Sequence, residues 1–312
     1  MAGESLKAAL LVNLSIGVIK TIVGLLTGSA AMISEAYHSF ADTFNQILLA
    51  VGIRRSHQEP DLEHPFGYKK VQFFWAFVVA VLIFGISGML ALFEGISIIR
   101  HPEEHHLNND LFIWQILVLL AAMVLEGFAL RTAMQEAAKY KKKAETDSLR
   151  QAVNEMQDPV LLALLVEDSL ALTGLTIAFI GSIITYITNE AIVDGFTSLA
   201  IGIILMLGGL LLANENKSYL VGRAVTTRIQ KQIRAIVEAD KYVLRIKTMR
   251  TMLLGPEDML LALDLVFTQE AKKSGDLGVA DNIDQLEQKL AEAIPKLTAD
   301  RIFIESQLES ET

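Results

Sequence analysis

Ser34-Glu35-Ala36-Tyr37-His38-Ser39-Phe40-Ala41-Asp42 decides the reading of this chain, because its charged and polar groups interrupt a stretch, 30–53, long enough to cross a bilayer. His38 and Asp42 are one helical turn apart, so they project from one face and can bind one ion together. Asn45 and Gln46 carry that polar face one turn further, and Glu35 lies one turn before His38. Charged groups at membrane depth normally face a cavity and mark an ion or proton path. The plainer alternative is an interhelical hydrogen-bond cluster that only holds helices together.

Outward from this stretch the chain is predominantly apolar: 52% of its 312 residues are hydrophobic, too many for an ordinary soluble chain of this length. Six spans can be drawn, roughly 8–28, 30–53, 71–99, 110–132, 158–187 and 190–214. The first reads as a retained helix, since it lacks a small-residue cleavage site and further spans follow closely. Lys and Arg gather between spans 2 and 3 (Arg54, Arg55, Lys69, Lys70) and between spans 4 and 5 (Lys139, Lys141, Lys142, Lys143, Arg150), while the opposite loops hold little more than Arg100. The positive-inside rule therefore places both termini in the cytoplasm. Before residue 215 there are 20 Asp and Glu against 13 Lys and Arg, so most of the net charge of −9 lies in the membrane half.

A second polar position, Glu167-Asp168, interrupts the apolar run 159–183 of span 5. Adjacent residues point about 100° apart on a helix, so one of the two is expected to join His38 and Asp42. Glu167 shares its face with Ala163, Ala171 and Gly174, which turns it toward neighbouring helices, and Asp168 is the alternative. Small residues also recur in spans 1 and 2, so spans 2 and 5 are expected to pack centrally. With Asn45 or water, His38, Asp42 and one of these acids make the near-tetrahedral N/O set that Zn²⁺ accepts. The same set suits Fe²⁺, Mn²⁺ or Co²⁺. These ligands must lose protons to bind metal, which is a physical basis for exchanging metal against H⁺.

Beyond residue 214 the pattern becomes that of a soluble domain ordered helix, strand, strand, helix, strand. Ile229, Ile233 and Val237 form one helical stripe, and Ile283, Leu286, Leu290 and Ile294 another. Strands at 246–254 and 259–266 flank the turn Gly255-Pro256-Glu257-Asp258, with a last strand at 301–305. The division is a transport domain, 1–214, and an α+β domain of ferredoxin-like type, 215–312.

The motif Ser34 to Asp42 resembles the second-helix His-x-x-x-Asp signature of the cation diffusion facilitator family, and Asp61-Leu62-Glu63-His64-Pro65-Phe66-Gly67-Tyr68-Lys69 resembles the loop that follows it. The likeness covers nearly the whole chain, nearest the zinc transporter nine branch through Arg54-Arg55, His64 to Tyr68 and Glu167-Asp168-Ser169. It implies a homodimeric, multi-pass transporter that expels Zn²⁺ or a related ion from the cytoplasm by proton exchange, with six transmembrane helices and a cytoplasmic ferredoxin-like domain aiding dimerization. Most members repeat His-x-x-x-Asp in the fifth helix, but Leu164 stands four residues before Asp168 and Ala163 four before Glu167. With one imidazole where relatives have two, preference for zinc over harder cations weakens. The chain has no cysteine and no histidine after His106, which argues against a zinc site in the C-terminal domain.

Asp61 and His64 match a secondary metal position in the loop of some relatives, but Tyr68 replaces a further histidine, so a structural loop role is the stronger expectation. His101, His105 and His106 read as a hydrated loop, and Lys20, Glu94 and Glu126 as groups paired across the bundle or near an interface. No nucleotide-binding, metalloprotease or nucleic-acid pattern is present, so the chain reads as a non-enzymatic transporter without a resident cofactor. Its expected partners are a divalent metal ion, protons, the lipid bilayer and a second copy of itself. A bacterial inner membrane suits so short a chain. The alternative from another class is a non-transporting scaffold whose C-terminal domain recruits partners.

Overall fold

The computed structural model describes residues 2–104, 109–143, 155, 157–273 and 278–308. It divides into two compact units, one of Met1–Arg55 and Val71–Lys217, the other of Ser56–Lys70 and Ser218–Thr312.

The first unit is helical: α1 (Ala2–Thr27), α2 (Ala30–Ser56), α3 (Val71–Arg100), α4 (Phe112–Lys143), α5 (Pro159–Thr188) and α6 (Ala191–Val221). Gly28 ends α1 with φ +71, a left-handed conformation that costs glycine nothing, and the chain reverses at once into α2. The carboxylate of Asp194 on α6 caps the N-terminus of α2, accepting from the Ala30 and Ala31 amides and from Ser29 Oγ at 3.0 Å. Asp158 caps α5 in the same way, accepting from Val160 N at 2.9 Å and Leu161 N at 3.2 Å, with Pro159 in the first turn where its missing N–H costs nothing.

Two apolar clusters hold the bundle. One joins Met32, Leu119, Leu175 and Ile201, and the other Leu49, Val79, Ala163 and Leu212. Both draw on α2 and α5, which therefore run through the interior. Helices α3 and α6 meet backbone to backbone, since a Cβ on Gly95 would lie 2.6 Å from Leu199 N and one on Gly202 2.7 Å from Leu92 N. Within α3 the residues Ile83–Gly88 form a π turn.

Among the described residues, four helices are long and apolar enough to cross a membrane: Val71–Arg100, the stretch Phe112–Lys139, Pro159–Thr188 and Ala191–Val221. Of α1 (Ala2–Thr27), the apolar stretch among the fully described residues is Asn13–Thr27, and α2 is diluted by its own polar face. Phe93, Phe128 and Leu211 are 72%, 61% and 71% exposed, a surface that water would penalise and hydrocarbon accepts.

The second unit contains α7 (Thr227–Glu238), β1 (Val243–Gly255), β2 (Asp258–Phe267), α8 (Val279–Ala293) and β3 (Ile302–Leu308). Pro256 and Glu257 turn β1 into β2, which pair antiparallel with Leu253 opposite Met259. β3 then adds parallel to β2, Ile304 opposite Leu263, giving a mixed sheet ordered β1-β2-β3. Central β2 buries Met259, Leu261, Leu263 and Leu265 on alternate positions, and the helices bury Ile233, Val237, Leu286 and Leu290. The segment Ser56–Lys70 is held within this unit: Arg301 Nη2 donates to Phe66 O at 3.1 Å and its guanidinium stacks over the Phe66 ring, which meets Phe303 edge-on.

Candidate metal centre

The polar face of α2 is turned inward. Glu35, His38, Asp42 and Asn45 are 0%, 1%, 8% and 0% exposed, so lipid does not reach them. His38 Nε2 approaches Asp42 Oδ2 at 3.5 Å, outside hydrogen-bond geometry. One turn on, Asn45 Nδ2 donates to Glu167 Oε1 of α5 at 3.1 Å. Because Asn45 follows Asp42 by three residues, the Glu167 carboxylate stands beside the turn that carries Asp42.

Glu167 is buried, whereas Asp168 is half-buried and outside this pair of contacts. The structure thus brings His38 to Asp42 and Asn45 to Glu167. Among the described residues no three His, Asp or Glu side chains converge closely enough to hold an ion, so the arrangement is two half-sites one turn apart on α2.

Several buried atoms of this face lack a hydrogen-bond partner: both ring nitrogens of His38, Asp42 Oδ1, Asn45 Oδ1, Gln46 Oε1 and Glu35 Oε1. Each unpaired buried polar group costs about 1–3 kcal/mol. The four oxygens and one of the two His38 ring nitrogens can accept a hydrogen bond or coordinate a cation, and such a cluster is chemically suited to a positive ion.

Lys20, expected to pair across the bundle or near an interface, is engaged by this face. Its Nζ lies 3.2 Å from Glu35 Oε2 and donates to Ser39 Oγ at 2.8 Å, with both Lys20 and Glu35 buried. A lysine inside an apolar span requires a counter-group, and that was the available signal. Asp194 belongs to no motif, although an acid in the first turn of an apolar helix is visible in the sequence.

Asp61 and His64 lie in Ser56–Lys70. Asp61 Oδ1 accepts from the amides of Glu63 at 3.0 Å and His64 at 2.7 Å, and Oδ2 accepts from Tyr68 Oη at 2.6 Å. The Tyr68 hydroxyl first, and then these amides, hold the Asp61 carboxyl below the usual carboxylate range. His64 Nδ1 is 3.4 Å from Asp61 Oδ1, and its ring packs on Tyr68. The Asp61 carboxylate thus shapes this loop. His101 is exposed, and His105, His106 and Arg150 lie outside the described residues.

Long apolar helices around a buried face of cation-ligating groups define a multi-pass integral membrane protein. Residues 6–221 match the family described as the Cation efflux transmembrane domain, and the chain belongs to that family. It is 30% identical over 273 residues to the proton-coupled zinc antiporter SLC30A9, mitochondrial, of Mus musculus, covering 88% of this chain and 47% of the relative. The Homo sapiens protein of that name is 31% identical over 236 residues, covering 76% and 41%. Metal tolerance protein C4 of Arabidopsis thaliana is 25% identical over 329 residues, covering 94% and 71%. The chain thus spans less than half the length of the zinc antiporters it matches.

Proposed function

We propose that this chain moves divalent metal ions out of the cytoplasm in exchange for protons, with Zn²⁺ the leading substrate. The observation that carries the reading is the set of buried, unpartnered ligand atoms on His38, Asp42 and Asn45 beside Glu167. The chain's likeness to proton-coupled zinc antiporters agrees with it. In this reading His38 and Asp42 of α2 share one ion with α5, Glu167 being the span 5 ligand and Asp168 next to it. A single imidazole also admits Fe²⁺, Mn²⁺ or Co²⁺. Protons and metal compete for His38, Asp42 and Glu167, so each ion released leaves groups ready to be protonated.

In this reading α1 and α2 also cross the bilayer, giving six spans, 1–214 form the transport domain and both termini are cytoplasmic. The αββαβ order of 215–312 supports a ferredoxin-like domain that aids homodimerization, and a bacterial inner membrane is the expected location. The Asp61–His64 loop has a structural role, with weak metal binding secondary to it. Transport by purified chain in proteoliposomes tests the proposal: an imposed pH gradient should drive Zn²⁺ flux, and Asp42→Ala should abolish it. A pH gradient that moves no divalent metal would rule the proposal out.

A further inference from the structure

Four carboxylates are buried in the helical unit among the described residues: Glu35, Asp42, Glu167 and Asp194. Asp194 is engaged at the positive end of α2 by the Ala30 and Ala31 amides. Glu35 faces the ammonium of Lys20 at 3.2 Å. That leaves Asp42 and Glu167, neither with a cationic partner within ion-pair distance unless His38 is protonated.

The Lys20–Glu35 pair is built into the helix packing. Lys20 is 1% exposed in the middle of α1, where an apolar residue would pack without desolvating a charge. Glu35 is one turn before His38 on the ligand face, and Gly174 of α5 leaves the space its carboxylate occupies, since a Cβ there would lie 2.5 Å from Glu35 Oε1. Lys20 also holds Ser39, the neighbour of His38, through the 2.8 Å bond to Oγ. The pair therefore sits against the turn that carries the proposed ligands.

We infer that Lys20 is a tethered counter-cation: by cancelling Glu35 it keeps that buried carboxylate from adding to the negative charge of Asp42 and Glu167, the two acids proposed to hold the ion. This rests on the transport reading above. Lys20 acts through Glu35 and is a positioning residue, not a ligand. Asp168 of α5 and Glu126 of α4 are half-buried nearby, so the surroundings of the ion are already negative, and an uncompensated charge of either sign left at Lys20 or Glu35 would persist in a region of low dielectric and shift the affinity for the ion.

The test is Zn²⁺ titration by calorimetry on the full chain in nanodiscs at one fixed pH, for wild type, Lys20→Met, Glu35→Gln, the double variant, Lys20→Arg and Asp42→Ala. Glu35→Gln leaves an unmatched ammonium beside the site and should weaken binding about tenfold, the order expected for one unit charge nearby. Lys20→Met should bind Zn²⁺ at least as tightly as wild type, and the double variant should return to within about threefold of wild type. Lys20→Arg keeps the charge and should stay near wild type, which maintains the comparison with Glu35→Gln if Lys20→Met does not fold. If both single variants weaken binding and the double weakens it at least as much, the pair is a packing element and the inference is overturned. Failure of wild type to bind, or equal binding by Asp42→Ala, overturns the transport reading and this inference with it.

Discussion

Asn45 Nδ2 lies 3.1 Å from Glu167 Oε1, and this hydrogen bond ties the ligand face of α2 to α5 inside the bundle. Without it Glu167 would lose the side-chain hydrogen bond that orients its buried carboxylate. Asn45→Leu should therefore lower thermal stability in detergent by about 1–3 kcal/mol, the cost of an unsatisfied buried group. It should also weaken Zn²⁺ binding about tenfold, since a carboxylate that is no longer oriented is a poorer ligand. Paired thermal denaturation and calorimetry on the same preparation check both effects.

Asp194 holds the start of α2 from another helix, accepting from Ser29 Oγ and two amides. Asp194→Ala removes that cap and should lower stability by about 1–2 kcal/mol, with Asp194→Asn losing less because its amide oxygen still accepts. Differential scanning fluorimetry of the three proteins ranks them. Equal melting temperatures for wild type and Asp194→Ala would contradict the capping role.

In the loop, Asp61 is held below its ordinary range chiefly by the Tyr68 hydroxyl. A depressed carboxyl stabilises the folded loop above the ordinary aspartate value near 4 and loses that contribution as pH falls through the lower folded value. Tyr68→Phe should therefore raise the Asp61 midpoint toward the ordinary value, read by carboxyl carbon NMR of selectively labelled protein. An unchanged midpoint would show that the hydroxyl is not the main cause.

Arg301 fixes the segment Ser56–Lys70 through Phe66 O at 3.1 Å and a stack on its ring, and its Nε lies 3.6 Å from Asp258 Oδ1. Arg301→Ala removes all three contacts at once. Amide hydrogen exchange across 58–68 of the full chain should then rise severalfold, with exchange in β2 nearly unchanged.

Much of this was legible in the chain because polar residues within apolar spans are rare and keep helical spacing. Glu35, His38, Asp42 and Asn45 announced an inward face, and the alternation along β2 marked its buried side. What was not legible depends on encounters between distant residues. Lys20 and Glu35 are fifteen positions apart and meet only because the chain reverses at Gly28. Gly95 and Gly202 look like any other glycines of a membrane span until α3 and α6 touch. The choice of Glu167 over Asp168 to meet Asn45 depends on the rotation of α5, which periodicity narrows without fixing. The parallel addition of β3 to β2 and the clamping of Phe66 by Arg301 likewise follow from tertiary packing, as no local pattern encodes them.

X-ray absorption at the zinc edge probes the coordination of the bound ion itself. Stoichiometrically loaded protein should show a nitrogen and oxygen shell with one imidazole per zinc, and His38→Ala should lose the imidazole signal while Asp42→Ala binds little metal. A spectrum with two or more imidazoles, or one unchanged in His38→Ala, would place the ion elsewhere and contradict a site formed by α2 and α5.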